Sequence, residues 1–412
     1  MLEDFFAKSI QFVKSNNLKY KRYFARQSNF EHKLSILMGA RGIGKSVTIA
    51  QYMSGFDIQK EALYVSLDDI LANDINLYEI AQNFYLHGGK LLCLDEIHKY
   101  SNWSQELKNI YDNFKDLKVV ASGSSALEIE KGSFDLSRRA IVYNMVGMSF
   151  REYLELNYSM VLESYTLEDV LKDHINISMT IAEKLETIDK KVLETFKEYL
   201  QYGYYPYFEN FENKILFFKT LKQNINTTIE GDLLNIYPSL TGRSIQKIKQ
   251  LLAIIMQNVP FTPTTSTLKK SIEVKDDRTL KEYLYYLDKS ALIKLLMKNA
   301  LAMKNVDKPE KIYLENTNLM HIANPNIGNV RETFFVNQLS NYYLVNDQED
   351  FKGIFASKAG DFTLENKYIF EIGGSKKSFK QIKDMENSFV AADDIEIGFG
   401  AKIPLWLFGL LY

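Results

Sequence analysis

The stretch that most constrains this chain is the octet Gly39, Ala40, Arg41, Gly42, Ile43, Gly44, Lys45 and Ser46. Leu34 to Met38 before it reads as a strand, and Lys45 to Met53 reads as a helix. A strand, a glycine-rich turn and a helix start converge several backbone N–H groups on one point, where the helix dipole adds positive charge. The glycines let the backbone curl inward, Lys45 can stand between outer phosphates and the Ser46 hydroxyl can coordinate magnesium. The octet, with Val47 behind it, is therefore expected to bind ATP with magnesium.

The second half of such a site is an apolar strand that ends in an acid, and Leu91, Leu92, Cys93, Leu94 and Asp95 supply it. Asp95 is the expected magnesium-side carboxylate. Glu96 follows directly, where a carboxylate can orient and deprotonate a water, and is the expected general base. Ser122 ends the next apolar run, either as a sensor of the γ-phosphate or as a cap for the helix that follows. Arg138 and Arg139 open a fifth run. In an ATPase that assembles around its nucleotide, an arginine there can reach the neighbouring subunit's phosphates; the alternative is a surface ion pair.

Short apolar runs at Leu34–Met38, Ala62–Ser66, Lys90–Leu94, Lys118–Ser122 and Ala140–Tyr143 alternate with amphipathic segments, as in strands joined by crossover helices. An α/β sandwich with a mostly parallel sheet is expected. Strand signals fade after Phe150, and Leu167 to Asn176 and Asp189 to Tyr202 carry helical spacing up to the turn at Gly203–Pro206. Helices at Ile245–Met256, Thr265–Lys270 and Asp277–Lys289 precede strand-like runs at Leu292–Met297 and Lys311–Leu314, the order of a winged helix with its tip at Ala300–Glu310. From Gly328 a helix at Val330–Tyr342 and runs at Phe362–Leu364, Tyr368–Ile372 and Ile395–Phe399 suggest a smaller α/β domain. The division is thus 1–149, 150–239, 240–327 and 328–412, in a chain whose 412 residues exceed what one core supports.

Composition narrows the rest. The single cysteine, Cys93, rules out an intrachain disulfide and fits a reducing, cytoplasmic setting. Glu3 and Asp4 stand where a signal peptide would be basic, so no export is expected. The apolar stretch Ile403–Tyr412 is too short to span a bilayer and reads as a buried terminal strand. A formal net charge of −2 leaves any charge-driven partner to a local patch. Leu240–Leu319 holds 14 Lys and Arg against 8 Asp and Glu. Lys269, Lys270, Arg278 and Lys281 fall at its helix-turn-helix corner, where the DNA backbone would be met. Tyr283, Leu284, Tyr286 and Leu287 on the third helix read as core rather than base contacts, so a spacer or assembly role is an equal alternative.

Taken together these residues resemble bacterial and archaeal ATPases of the AAA+ superfamily that carry a C-terminal domain of unknown function. Asp95 to Lys99 with Trp103, Leu107, Lys108, Tyr111 and Asp112 resemble the stretch leading from the acidic pair into a tryptophan-bearing helix. Ser122 to Ser125 resembles the Thr-Gly-Ser-Ser sensor strand, with serine leading. Arg139 matches the arginine of a Gly-Arg pair, with Arg138 in the glycine's place. Met148 to Tyr153 resembles a Leu-Ser-Phe-Arg-Glu-Phe segment, and Tyr202 to Pro206 resembles, less closely, a glycine and proline turn.

The resemblance implies an ATPase core, a helical lid, a winged helix, homo-oligomers and a last domain of restriction-endonuclease-like fold. A nuclease of that fold needs two carboxylates and a lysine, the second acid and lysine as Glu-X-Lys on one strand. Here Asp361 is followed by Glu371, Ile372 and Gly373, so glycine stands in the lysine's place. Glu332 on the preceding helix would add a third carboxylate, and Lys376 or Lys377 would have to swing in from outside the strand. A chemically silent scaffold is expected, with an ATP-gated nuclease as the alternative. The leading expectation is an ATP-hydrolysing switch acting on a nucleic acid or protein partner, with a slowly hydrolysing interaction scaffold as its rival.

Overall fold

The computed structural model describes residues 2–69, 76–123, 136–262, 265–298, 309–346 and 353–412. The chain forms two compact units, Met1–Val146 with Asn226–Thr241, and Gly147–Ile225 with Gly242–Tyr412.

The first unit is built on β1 (Leu34–Met38), β2 (Ala62–Ser66), β3 (Leu91–Asp95), β4 (Lys118–Gly123) and β5 (Ala140–Asn144). They form one sheet in the order β2-β3-β4-β1-β5, with every pair parallel. β1 and β3 are buried at every position, as continuous apolar runs in a sheet covered on both faces should be. Helices α1 (Leu2–Asn16), α2 (Tyr23–Gln27), α3 (Lys45–Met53), α4 (Leu77–Leu86) and α5 (Trp103–Asn113) belong to this unit. Trp103, Leu107 and Ile110 of α5, spaced four and three apart, are its buried stripe. Ser9 of α1 serves β2, accepting from the Tyr64 N–H at 2.8 Å while donating to the Phe5 carbonyl.

The order of strands matters for function. β4 lies between β1 and β3, so the turn after β1 and the acid ending β3 stand on either side of the β4 terminus. Ser122 is therefore central, while β5, which follows Arg138 and Arg139, is an edge strand.

In the second unit helices Phe150–Tyr158 and Leu167–Glu186 both start on capping boxes, Ser149 with Glu152 and Thr166 with Asp169. Helix Val192–Tyr202 ends at Gly203, and Pro206 opens a short 3-10 turn. Helices Gly242–Asn258, Thr265–Ser271 and Asp277–Lys289 are followed by the antiparallel pair β6 (Ile293–Leu296) and β7 (Lys311–Leu314). Leu280, Tyr283, Leu284 and Leu287 are the buried face of the third helix, and Tyr286 is half-buried. Most of the expected wing tip, 300–308, lies outside the described residues.

Helix Ile327–Val345 precedes a second sheet, β12-β11-β10-β9-β8, made of β8 (Ile354–Ala356), β9 (Phe362–Leu364), β10 (Tyr368–Gly373), β11 (Ser388–Ala392) and β12 (Lys402–Pro404). β10, β11 and β12 pair in parallel, while β8, β9 and β10 pair antiparallel. Two expectations fail here. Ile395–Phe399 is not a strand: Ile397 and Phe399 are exposed, and Gly400, in the left-handed region at φ 58°, turns the chain into β12. Ile403–Tyr412 is buried but is a strand only to Pro404, beyond which Leu405–Leu410 coils as a 3-10 helix. Pro404, with no N–H to give, marks the change. No helix among the described residues is long and apolar enough to cross a membrane.

Candidate active site

The octet forms the turn its glycines suggested. Gly42 and Gly44 hold φ of 84° and 101°, which side-chain-bearing residues rarely adopt. Gly39 is required by space, since a Cβ there would lie 2.3 Å from the Met145 carbonyl oxygen. The turn is tied down from behind: the buried guanidinium of Arg22 donates to the Ile43 carbonyl at 2.6 Å and to the Val146 carbonyl at 3.0 Å.

Lys45 opens α3 and is buried, with Nζ donating to the Gly39 and Ala40 carbonyls at 2.8 and 2.9 Å. Burial holds its ammonium below the ordinary lysine value, against the opposing pull of Glu96 and Asp95. An anionic ligand beside Nζ would reverse that penalty.

Asp95 is the hub of the site. Its Oδ2 accepts from Ser46 Oγ at 2.8 Å and from the Tyr64 hydroxyl at 3.0 Å; its Oδ1 accepts from Ser122 Oγ and from the Glu96 N–H at 3.1 Å. Four donors on one carboxylate, three of them side chains from the octet, β2 and β4, fix its orientation. Desolvation, then the neighbouring Asp95 charge, pushes the Tyr64 phenol well up, so Tyr64 acts here as a donor.

Glu96 sits at φ 54° and ψ 44°, a strained backbone for a non-glycine residue and a common mark of a functional position. Its Oε2 is buried and accepts no hydrogen bond among the described residues. Two side chains face it at longer range, the His98 imidazole with Nε2 at 3.4 Å and the Arg41 guanidinium with Nη2 at 3.7 Å. Asp232, from the segment 226–241, completes the cluster: its Oδ1 is 3.3 Å from Arg41, 3.6 Å from His98 and 3.6 Å from Lys99.

The sequence analysis named neither Tyr64, Arg22 nor Asp232. No motif marks them, and Asp232 is remote in sequence from the octet. Of the residues it did name, Lys45, Ser46, Asp95, Glu96 and Ser122 come together, while Arg138 and Arg139 do not. Both precede β5, whose Ala140 pairs with Leu34 at the far end of β1 from the octet. A five-residue strand puts them about 17 Å from their own phosphate turn. Arg138 is exposed at φ 67°, and Arg139 makes a two-point pair with Asp112 at 2.9 and 3.0 Å.

The donor set fits ATP with magnesium: a positive-φ glycine turn, a buried lysine cation, and a hydroxyl beside a carboxylate. Residues 31–154 match the family model of an AAA domain. Over that stretch the chain is similar to AAA domains. Residues 193–328 match a further model, a domain of unknown function. An uncharacterized protein of Methanocaldococcus jannaschii is 26% identical over 397 residues, covering 91% of this chain and 82% of its own length. A Walker-type ATPase of Pyrococcus abyssi aligns over 78% of this chain and 96% of its own, at 11% identity and a TM-score of 0.41. The RuvB Holliday junction branch migration motor of Thermotoga maritima aligns over 72% and 89%, at 14% identity and a TM-score of 0.26.

The three acids named for the last domain are each engaged by protein groups. Glu332 accepts from the Tyr313 hydroxyl at 2.8 Å and pairs with Lys311 at 3.2 Å, and Asp361 accepts from the Ile372 N–H at 2.8 Å. Glu371 is buried and paired with Lys377. Lys377 does swing in: its stem lies where a side chain at Gly373 would be, 2.7 to 2.9 Å from the Cβ position. Among the described residues no group of three or more His, Cys, Asp or Glu is arranged to hold a metal ion. At the basic corner, Lys269 pairs with Asp277 at 2.6 Å and Arg278 with Glu282 at 3.2 Å.

Proposed function

We propose that the chain binds ATP with magnesium in its AAA domain and hydrolyses it, using the cycle to switch a bound partner. The observation that carries this reading is the hydrogen-bonded pair Ser46–Asp95 next to an unsatisfied, buried Glu96 oxygen. Ser46 and Asp95 would hold the magnesium, which would supply neutralisation of phosphate charge. Lys45 would leave the Gly39 and Ala40 carbonyls for the phosphate oxygens, and the backbone N–H groups of Gly42 to Ser46 would take the rest of the negative charge.

Glu96 would take a proton from water as its oxygen bonds to the γ-phosphorus. The bond to the bridging oxygen breaks, and ADP leaves with that electron pair. Ser122 is engaged with Asp95, which favours a part in holding the carboxylate over direct reading of the γ-phosphate. Arg138 and Arg139, out of reach of their own turn, would act on a neighbouring copy in a homo-oligomer. Phosphate release from ATP by the purified protein, and its loss in Lys45→Ala, tests the activity; equal turnover in both proteins would remove it.

Residues 240–327 would serve as a winged helix and 328–412 as an endonuclease-like scaffold, with 1–149 as the ATPase core and 150–239 as a lid-like module whose stretch from Asn226 belongs to the first unit. The ion pairs Lys269–Asp277 and Arg278–Glu282 reduce the free positive charge at the corner, which weighs towards a protein partner there.

A further inference from the structure

The cluster around Glu96 holds side chains that the proposed mechanism does not use. Arg41 from the phosphate turn and His98 and Lys99 from the short 3-10 helix after Glu96 all converge on Asp232. Asp232 is 1% exposed and stands on a single π-helical turn, Thr228–Asp232. Such turns insert an extra residue into a helix and are seldom retained without a use. The chain reaches this segment from Ile225 of the second unit and re-enters that unit at Gly242.

We propose that Asp232 is a positioning residue for Glu96: it draws the Arg41 guanidinium away from the base and keeps the base oxygen open for water. The inference rests on Glu96 being the base. The two acids compete for one cation. Arg41 Nη2 stands 3.3 Å from Asp232 Oδ1 and 3.7 Å from Glu96 Oε2. At 3.7 Å the guanidinium makes no hydrogen bond to Glu96, whose oxygen stays available. Without a carboxylate at 232, the nearest acid for Arg41 is Glu96 itself, and a charge-assisted pair there would bind the lone pair that must accept the proton. Asp232 also gathers Lys99, a second cation from the loop of the base. Hydrolysis is thereby tied to a segment whose chain neighbours on both sides lie outside the ATPase unit.

The test is a double-mutant cycle on ATP turnover with Asp232→Asn and Arg41→Gln, with ATP affinity measured separately. Asp232→Asn is expected to lower kcat about tenfold with KM for ATP changed less than about twofold, the split expected when an interaction of the reacting state is lost. In the Arg41→Gln background the same change should cost less than about twofold. Equal losses in both backgrounds would overturn the proposal, as would a loss confined to KM. Asp232→Ser serves as the second variant. Arg41 and Lys99 retain 28% and 17% side-chain exposure and can turn to water, so at least one of the two variants is expected to fold. Loss of cooperative melting in both would make Asp232 purely structural and overturn the proposal. If Glu96→Gln turns over normally, the assignment of the base falls first; if it is inactive while Asp232→Asn is normal, only the positioning role falls.

Discussion

The Ser46 hydroxyl, on α3 after β1, donates a 2.8 Å hydrogen bond to Asp95 at the end of β3, although β1 and β3 are not neighbours in the sheet. β4 runs between them, and its Ser122 donates to the other oxygen of the same carboxylate. The two halves of the site are thus joined through a polar triplet from α3, β3 and β4.

Asp95→Asn should weaken the magnesium dependence of nucleotide binding by about 10- to 100-fold, the usual cost of losing an outer-sphere metal partner. Magnesium titration of a fluorescent ATP analogue would show it, and an unchanged titration would take Asp95 out of the metal site.

Lys45 carries a stability cost in the nucleotide-free protein, because its folded-state pKa is depressed by burial. The folded state then binds fewer protons than the unfolded state between the depressed value and the ordinary lysine value. The cost is therefore full below the depressed value and relieved as pH rises through that window. Lys45→Met should raise the nucleotide-free Tm at pH values below that window, because it removes a charge whose burial disfavours the folded state. The gain should shrink at alkaline pH, and ATP should no longer raise the Tm.

Arg138 and Arg139 are expected to act only across subunits. Neither arginine's alanine variant should turn over ATP normally if that arginine is the one used, a loss of about 10³-fold or more. An equal mixture with Lys45→Ala protein should recover roughly a quarter of wild-type activity, the share of head-to-tail sites with both parts intact. No recovery in the mixture would argue for a cis role or none. Asp112→Ala, which frees Arg139 from its two-point pair, separates the two arginines.

Duplex DNA, if it binds at residues 240–327, should lose at least about tenfold in affinity between 50 and 200 mM salt. Lys270→Ala with Lys281→Ala should flatten that slope. No binding at low salt would leave the protein-partner reading.

The octet, the five strands and the acid pair were legible because each is local: a run of apolar residues, a glycine turn, an acid at a strand end. β1, β2 and helix Asp277–Lys289 run between the residues that the patterns marked. What the pattern could not carry is whatever depends on distant residues. Asp232 reaches Arg41 across 191 positions, and Arg22 reaches Val146 across 124. Tyr64 looked like an ordinary strand aromatic until β2 was placed beside β3 in register with Ser66 opposite Asp95. The second sheet was read less well because its strands are only three to six residues long. Ile395, Ile397 and Phe399 alternate as a strand would, yet Ile397 and Phe399 face water. Of the two lysines the sequence offered for that approach, the structure selects Lys377, which pairs with Glu371 in the space that Gly373 leaves.

The central claim, that this site hydrolyses ATP with Glu96 as base, is tested most directly by Glu96→Gln, with nucleotide binding and turnover measured on the same preparation. The account predicts ATP bound with magnesium at close to wild-type affinity and turnover reduced by at least about 10²-fold. Wild-type turnover in Glu96→Gln would contradict it.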